Sequence, residues 1–104
     1  MDLAAATYAF AKELPASERF ELGSQMRRAA VSVPSNIAEG WGRRSRAELL
    51  RFAVIANGSL KELETQAMLA ERLEQVARGS NADVLLLACR VGRMLTAMRR
   101  KLSA

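Results

Sequence analysis

Apolar side chains recur every three or four positions along most of the chain, which is the spacing of one face of an α-helix. The pattern is clearest between residues 22 and 41. The apolar positions there are Leu22, Met26, Ala30, Val33, Ile37 and Trp41. Because each step is three or four residues, the sequence predicts one helix from about Ser17, its expected N-cap, to beyond Trp41.

Two further helices have clear boundaries in the sequence. The first helix of the chain covers about residues 2–13 and ends before Pro15, because the residue before a proline is pushed out of the helical conformation. The third begins with a capping box, in which Ser45 accepts a hydrogen bond from the amide of Glu48 and the Glu48 side chain reaches back. Its apolar pattern continues to about residues 76–77.

A fourth helix completes the predicted fold. Gly79 is expected to close the third helix, and Asn81 is expected to cap the fourth, which runs to about Lys101. Short connections between long helices make successive helices antiparallel neighbours. The sequence therefore predicts an all-α protein with a single domain over residues 1–104, an antiparallel up-down-up-down four-helix bundle.

Pro34 falls inside the second helix, where a proline removes one backbone hydrogen bond and crowds the carbonyl of Ala30. We expect the helix to kink there without stopping, because the apolar pattern continues beyond it. Asn36 is expected to bond carbonyls freed near the kink or to bond across helices, and Glu39 to pair with an arginine. Gly58 costs about 1 kcal/mol relative to alanine in a helix, so we expect a neighbouring helix to approach closely there.

The balance of ionisable residues limits the possible chemistry. There are 16 lysines and arginines against 11 acidic residues, a net charge of +5, which favours an acidic partner such as nucleic acid. The chain has no histidine and one cysteine, Cys89, so the usual zinc and histidine acid–base chemistries are missing. We expect no enzymatic activity, no cofactor and no metal. The sequence also predicts a cytoplasmic protein without a membrane span.

Basic side chains gather at one end of the predicted bundle, where the turn between the second and third helices meets the end of the fourth. Cations before a helix N-terminus oppose the helix dipole, so their presence there indicates an external anion. Arginine suits phosphate because its planar fork binds two oxygens at once. The expected nucleic-acid-binding residues are Arg43, Arg44, Arg46, Arg90, Arg93, Arg99, Arg100 and Lys101.

Some apolar side chains fall off the core faces of the third and fourth helices and predict self-association. They are Leu50, Val54, Met68, Leu85, Leu86 and Cys89.

Trp41 has two interpretations. It is in phase with the core face of the second helix, which favours packing in the core or an interface. Its position beside the arginines would also allow it to stack on a base.

Several motifs in residues 14–70 are familiar. The segment Ser-Val-Pro-Ser-Asn-Ile-Ala-Glu-Gly spans residues 32–40, Gln-Met-Arg-Arg-Ala spans 25–29, and Gly-Ser-Leu-Lys-Glu-Leu-Glu-Thr spans 58–65. With Leu-Pro-x-x-Glu at 14–18, they resemble the four-helix-bundle family of proteins encoded in intervening sequences of 23S ribosomal RNA genes. The residues of these motifs that we expect to have structural roles are Ser32, Pro34, Asn36, Glu39, Gly40 and Gly58.

The resemblance implies a left-handed four-helix bundle that forms a homopentamer. The same family includes the accessory variability determinant of diversity-generating retroelements, a basic pentamer that binds nucleic acid and a reverse transcriptase. We therefore expect a non-enzymatic homo-oligomer that binds structured RNA or an RNA–protein complex through its basic pole. The alternative is a protein-interaction module that docks a partner such as a reverse transcriptase or ribonucleoprotein and has no nucleic-acid function of its own.

Overall fold

The computed structural model describes residues 1–103, and all of the regular elements in this range are helices. They are α1 (Asp2–Ala11), α2 (Ala16–Arg19), α3 (Leu22–Gly42), α4 (Arg46–Arg72) and α5 (Ala82–Ser103). Apart from the single turn α2, each helix packs against two others: α1 and α4 each lie against both α3 and α5. The all-helical bundle predicted from the sequence is confirmed.

The helix predicted to begin at Ser17 is divided into two. The N-cap is Pro15, two residues earlier, and the first part ends at Arg19. The second part begins at Leu22, because the backbone at Glu21, with φ −100° and ψ −85°, leaves the helical region. The apolar pattern does not reveal this break.

Tertiary contacts explain the break. Leu14 is only 1% exposed, and its Cδ1 lies 3.4 Å from the position where a side chain on Gly23 would begin. Arg27 donates a hydrogen bond from Nη2 to the carbonyl oxygen of Arg19 at 3.2 Å, which provides a partner at the end of α2. A continuous helix would not bring these groups together, so packing overrides the local preference.

α4 ends at Arg72, earlier than its apolar pattern predicts. Two residues later Glu74 takes a left-handed conformation with φ +58°, and Gly79, with φ +84°, lies in the following connection and does not close the helix. The buried side-chain amide of Asn81 donates to the carbonyl of Ala67 at 3.0 Å. This bond holds the connection against α4 and fixes the start of α5.

The motif around Pro34 links α3 to α4. The helix continues through Pro34, as predicted. The side-chain amide of Asn36 donates to both the carbonyl oxygen and the Oγ of Ser32, each at 2.8 Å. Ser32 Oγ in turn shares a 2.8 Å hydrogen bond with the Oγ of Ser59 on α4. These contacts give Ser32 and Asn36 a structural role.

The two helices come closest at Gly40 and not at Gly58. Gly40 is buried, and a Cβ there would lie 2.9 Å from the Cβ of Phe52 and 3.3 Å from the Cα of Leu49. Gly58 is exposed, and a Cβ there would meet no atom within 4 Å beyond its own part of the helix. The expected close approach at Gly58 is therefore wrong within the described chain.

The hydrophobic core lies between α1, α3, α4 and α5. Its largest fully buried apolar side chains are Leu14, Met26, Leu60, Leu63, Leu95 and Val84. Met94 of α5 is 69% exposed, although it lies three residues after Val91, which packs against the core. Leu85, predicted to lie off that face, packs partly against the core. Of the other residues predicted to mediate self-association, Leu50 is partly buried, and Val54, Met68, Leu86 and Cys89 are exposed.

Candidate nucleic-acid interface

Two arginines near the α3–α4 turn are engaged within the chain. Arg43 Nη2 lies 2.9 Å from Glu39 Oε1, the ion pair expected for this glutamate, and Arg51 Nε lies 2.7 Å from Glu48 Oε2. Their guanidinium carbons lie 5.6 and 4.5 Å from the ring centre of Phe52. The hydrogen bond from Arg51 lowers the pKa of the Glu48 carboxyl. Arg43, expected to bind nucleic acid, is thus held by neighbouring side chains.

Arg44 and Arg46 lie on either side of Ser45, the N-cap of α4, and both are exposed. Ser45 Oγ accepts a 3.3 Å hydrogen bond from the Glu48 amide, as the capping box predicts, although the Glu48 carboxylate binds Arg51 instead of reaching back. Neither Arg44 nor Arg46 has a carboxylate within 4.0 Å in residues 1–103. Two cations therefore stand unneutralised at the positive end of a long helix.

Arg44 also has a strained backbone, with φ +55°, in the left-handed region that favours glycine. We expect Arg44→Gly to raise the free energy of unfolding by about 1 kcal/mol, since this conformation costs an ordinary residue roughly that much. Denaturant titration would measure this gain. If the same variant binds an anionic ligand more weakly, Arg44 is retained for binding at a cost in stability; unchanged stability would contradict the strain.

The turn forms one wall of a cleft of about 240 Å³, and the end of α5 reaches the same cleft. Its lining residues are Gly40, Trp41, Arg44, Ser45, Arg46, Leu49 and Leu102. Arg44 and Arg46 thus lie near the last turn of α5, where the sequence placed the basic pole.

Trp41 is 64% exposed, so it does not lie in the core of the chain, one of the places expected for it; an interface and stacking on a base stay predictions. The reason is helical geometry. At about 100° per residue, the two steps of four from Val33 to Trp41 turn the side chain about 80° away from the core direction. Gly40, one residue earlier, takes the position that faces α4. The indole therefore lies at the edge of the cleft, beside the arginines.

A second, larger groove of about 510 Å³ lies between α4 and α5. Arg93, Arg99 and Arg100 line it, as does Lys61 of α4, which was not among the predicted residues. Lys61 pairs with Glu64 at 3.1 Å. Helical spacing places Asn57, Lys61 and Glu64 on one face of α4, at intervals of four and three residues, but only the packing of α5 against α4 shows that this face borders the groove.

The groove continues toward the end of α5 through a smaller cleft that Arg99 and Arg100 also line. Arg90 and Lys101 are exposed but line neither groove. The structure thus brings Arg93, Arg99 and Arg100 together and leaves Arg90 and Lys101 on the open face of the same helix.

The predicted cations without an ion-pair partner in residues 1–103 form what we call the basic surface. It consists of Arg44, Arg46, Arg90, Arg93, Arg99, Arg100 and Lys101. Its chemistry is the attraction of anions, phosphates above all. In the same range of residues, no group of three or more histidine, cysteine or acidic side chains is placed to hold a metal ion. None of the helices described is both long and apolar enough to cross a membrane.

Fold and surface define an all-helical bundle protein whose α3–α4 turn and α5 carry basic side chains without an ion-pair partner in residues 1–103. The chain belongs to the family of 23S rRNA-intervening sequence proteins, whose model matches residues 1–97. The match extends beyond the motif-bearing segment to α1 and most of α5. Among curated proteins, no sequence matches the chain.

Proposed function

We propose that this protein is a non-enzymatic, homo-oligomeric helical bundle that binds structured RNA through the basic surface. The observation that carries the proposal is the concentration of seven basic side chains on the α3–α4 turn and α5, none of which has a carboxylate within 4.0 Å in the described chain. The resemblance described above, to a family that includes a basic pentamer binding nucleic acid, favours nucleic acid as the source of the phosphates. Shape and backbone contacts would dominate recognition, since the chain has few aromatic residues to read bases.

The proposal includes the antiparallel order of the helices and a bend at Pro34. Gly40 lies beside Phe52, whereas Gln25 meets Gln66 at 3.5 Å, so contacts earlier in α3 fall later in α4. Antiparallel packing is the simplest order that accounts for both contacts. Pro34 has no N–H to donate along the helix, and we infer a bend in α3 at that position.

Self-association is also part of the proposal. Val54, Met68 and Leu86 expose 47%, 52% and 49% of their surface, which leaves apolar surface of α4 and α5 in water. Burial against further copies would remove it, and the resemblance described above implies five subunits. A ring with five basic surfaces on one rim would contact many phosphates together, which raises affinity and steepens its dependence on salt.

The proposal is tested with the double variant Arg44→Glu/Arg46→Glu and a fluorescently labelled RNA stem-loop in a salt series. The wild type should bind with an affinity that falls steeply as salt rises, because bound phosphates release their counterions. The variant should bind at least about tenfold more weakly at 0.15 M salt and with a shallower slope. Fluorescence anisotropy measures both, and sedimentation equilibrium checks that the oligomer is unchanged.

The matched control is Arg72→Glu/Arg78→Glu, which changes the net charge by the same amount. Arg72 ends α4 and therefore lies about 40 Å from Arg46, at the other end of the helix. Equal losses in the two variants would indicate non-specific attraction and contradict the assigned surface. If the wild type does not bind RNA at all, the alternative of a module that docks a protein partner replaces the proposal.

A further inference from the structure

The cleft at the end of the bundle combines a planar aromatic surface with unneutralised cations. Trp41 lies on one edge and is largely exposed, and Arg44 and Arg46 lie on the adjoining turn. The amide of Arg44 donates a hydrogen bond to the carbonyl of Trp41 at 3.4 Å, so the turn fixes the two residues relative to each other. We infer that this cleft binds one unpaired nucleotide of an RNA strand, with the base on Trp41 and the phosphate between Arg44 and Arg46. This inference rests on the proposed function.

The surface that lines the cleft is almost entirely apolar, and the polar side chains of the residues around it match a phosphate. Arg44 and Arg46 each offer a planar set of N–H donors and have no carboxylate within 4.0 Å in the described chain. Ser45 Oγ accepts a hydrogen bond from the Glu48 amide, which leaves its own proton free to donate. A phosphate here would offset two cations that otherwise oppose the dipole of α4.

The apolar groups of the cleft match one base. Leu49 and Leu102 form apolar parts of the wall, and the exposed indole offers a face on which a base can stack. The volume of about 240 Å³ lies below the range of about 300–1,000 Å³ that takes drug-sized ligands, so the cleft suits a single ring system. Bases inside a duplex have both faces covered, so the occupant is an unpaired base.

A second copy of this chain is a poorer occupant. An apolar interface over Trp41 would bury Arg44 and Arg46 with it, and buried charges without a partner carry a large desolvation cost. A nucleotide satisfies the ring and the cations together.

Trp41 is the only tryptophan of the chain, so its fluorescence reports directly on the cleft. The probes are an RNA duplex with one bulged adenine, the same duplex without the bulge, and adenosine 5′-monophosphate. The bulged duplex should quench the fluorescence and bind about tenfold more tightly than the paired duplex, the effect of one base–aromatic stack. Free adenosine 5′-monophosphate should bind far more weakly than the bulged duplex, because it lacks the rest of the phosphate backbone.

The variant Trp41→Leu should lose the preference for the bulge and keep its affinity for the paired duplex, whereas Trp41→Phe should retain part of the preference. Trp41 is largely exposed, so neither change is expected to unfold the protein. Binding of both duplexes without quenching or preference would overturn the nucleotide site and leave the proposed function standing. Failure of both duplexes to bind would overturn both, and a free nucleotide as tight as the bulged RNA would overturn the assignment to a strand.

A quenching signal that depends on protein concentration but not on RNA would show that a second copy covers Trp41, and it would overturn the inference. The double variant Arg44→Glu/Arg46→Glu completes the test. It should weaken binding of both duplexes, whereas Trp41→Leu weakens binding of the bulged duplex alone. This difference separates stacking on the indole from attraction to the arginines.

Discussion

Replacing Leu60 by alanine is expected to lower the free energy of unfolding by about 3 kcal/mol, the largest effect on stability that we foresee. Leu60 is 0% exposed and belongs to the core between the helices. Its Cδ2 lies 3.4 Å from the position where a side chain on Gly92 of α5 would begin. Truncation therefore leaves a cavity at the contact between α4 and α5, and this cavity adds to the lost burial of the methyl groups.

Thermal unfolding would show this loss as a fall in Tm of about 10–20 °C for a domain of this size. The control is Leu69→Ala, the same chemical change on the same helix at a side chain that is 43% exposed. It should cost less than about 1 kcal/mol, because much of that side chain is already in water. Similar losses in the two variants would mean that Leu60 does not lie in the core as described.

Gly40→Ala and Gly58→Ala are expected to change stability in opposite directions. A Cβ at Gly40 would lie 2.9 Å from the Cβ of Phe52 and 3.3 Å from the backbone of Leu49, neither of which is the movable end of a side chain. We expect a loss of about 2 kcal/mol, because strain in a packed contact outweighs the gain of alanine in a helix. At Gly58 nothing stands in the way, so alanine should add up to about 1 kcal/mol.

Urea denaturation of both variants gives the comparison, with m-values to confirm that the cooperativity is unchanged. A Gly40→Ala variant as stable as the wild type would contradict the close contact between α3 and α4.

Gly58 has a further use as a probe of self-association. If Gly58→Ala loses stability and dissociates the oligomer, the exposed face of α4 around Gly58 is an interface between subunits.

Gly40 also connects the fold to the candidate site. It lines the cleft that holds Trp41, Arg44 and Arg46, and it sets the distance between α3 and the start of α4. A side chain at this position would displace the turn that bears the arginines. We therefore infer that the motif has glycine at this position because α3 and α4 pack closely there. This close packing in turn sets the position of the turn that bears the arginines.

Local signals were enough to predict much of the secondary structure. The start of α4 was predictable from Ser45, whose side chain accepts a hydrogen bond from the amide of Glu48. Capping is a local signal because it involves residues within one turn of each other. The passage of α3 through Pro34 follows from the apolar pattern on both sides of it. The break between α2 and α3 was not predictable, since it depends on the contacts of Leu14 and Arg27 with residues of other turns.

The candidate site was predictable in its residue types and not in its arrangement. Residue order alone placed an arginine-rich turn before a helix N-terminus and a basic last helix. Arg43 pairs with Glu39, whereas Arg44 and Arg46 have no carboxylate partner in the described chain. This difference depends on distances of a few ångströms between side chains. The position of Lys61 in the α4–α5 groove depends on which faces of two helices meet.

By itself, the sequence determined that this protein is helical, where most of its helices lie, and that its charge is concentrated on the α3–α4 turn and α5. These properties come from helix propensity, periodicity and charge, which act over a turn or are counted along the chain. The tertiary structure alone decided that Trp41 is exposed, that Gly40 and not Gly58 is the close contact, and which arginines have no ion-pair partner among residues 1–103. Each of these depends on which groups lie nearby in the folded chain, because only the packing of the helices defines the direction of the core and the partners of each side chain.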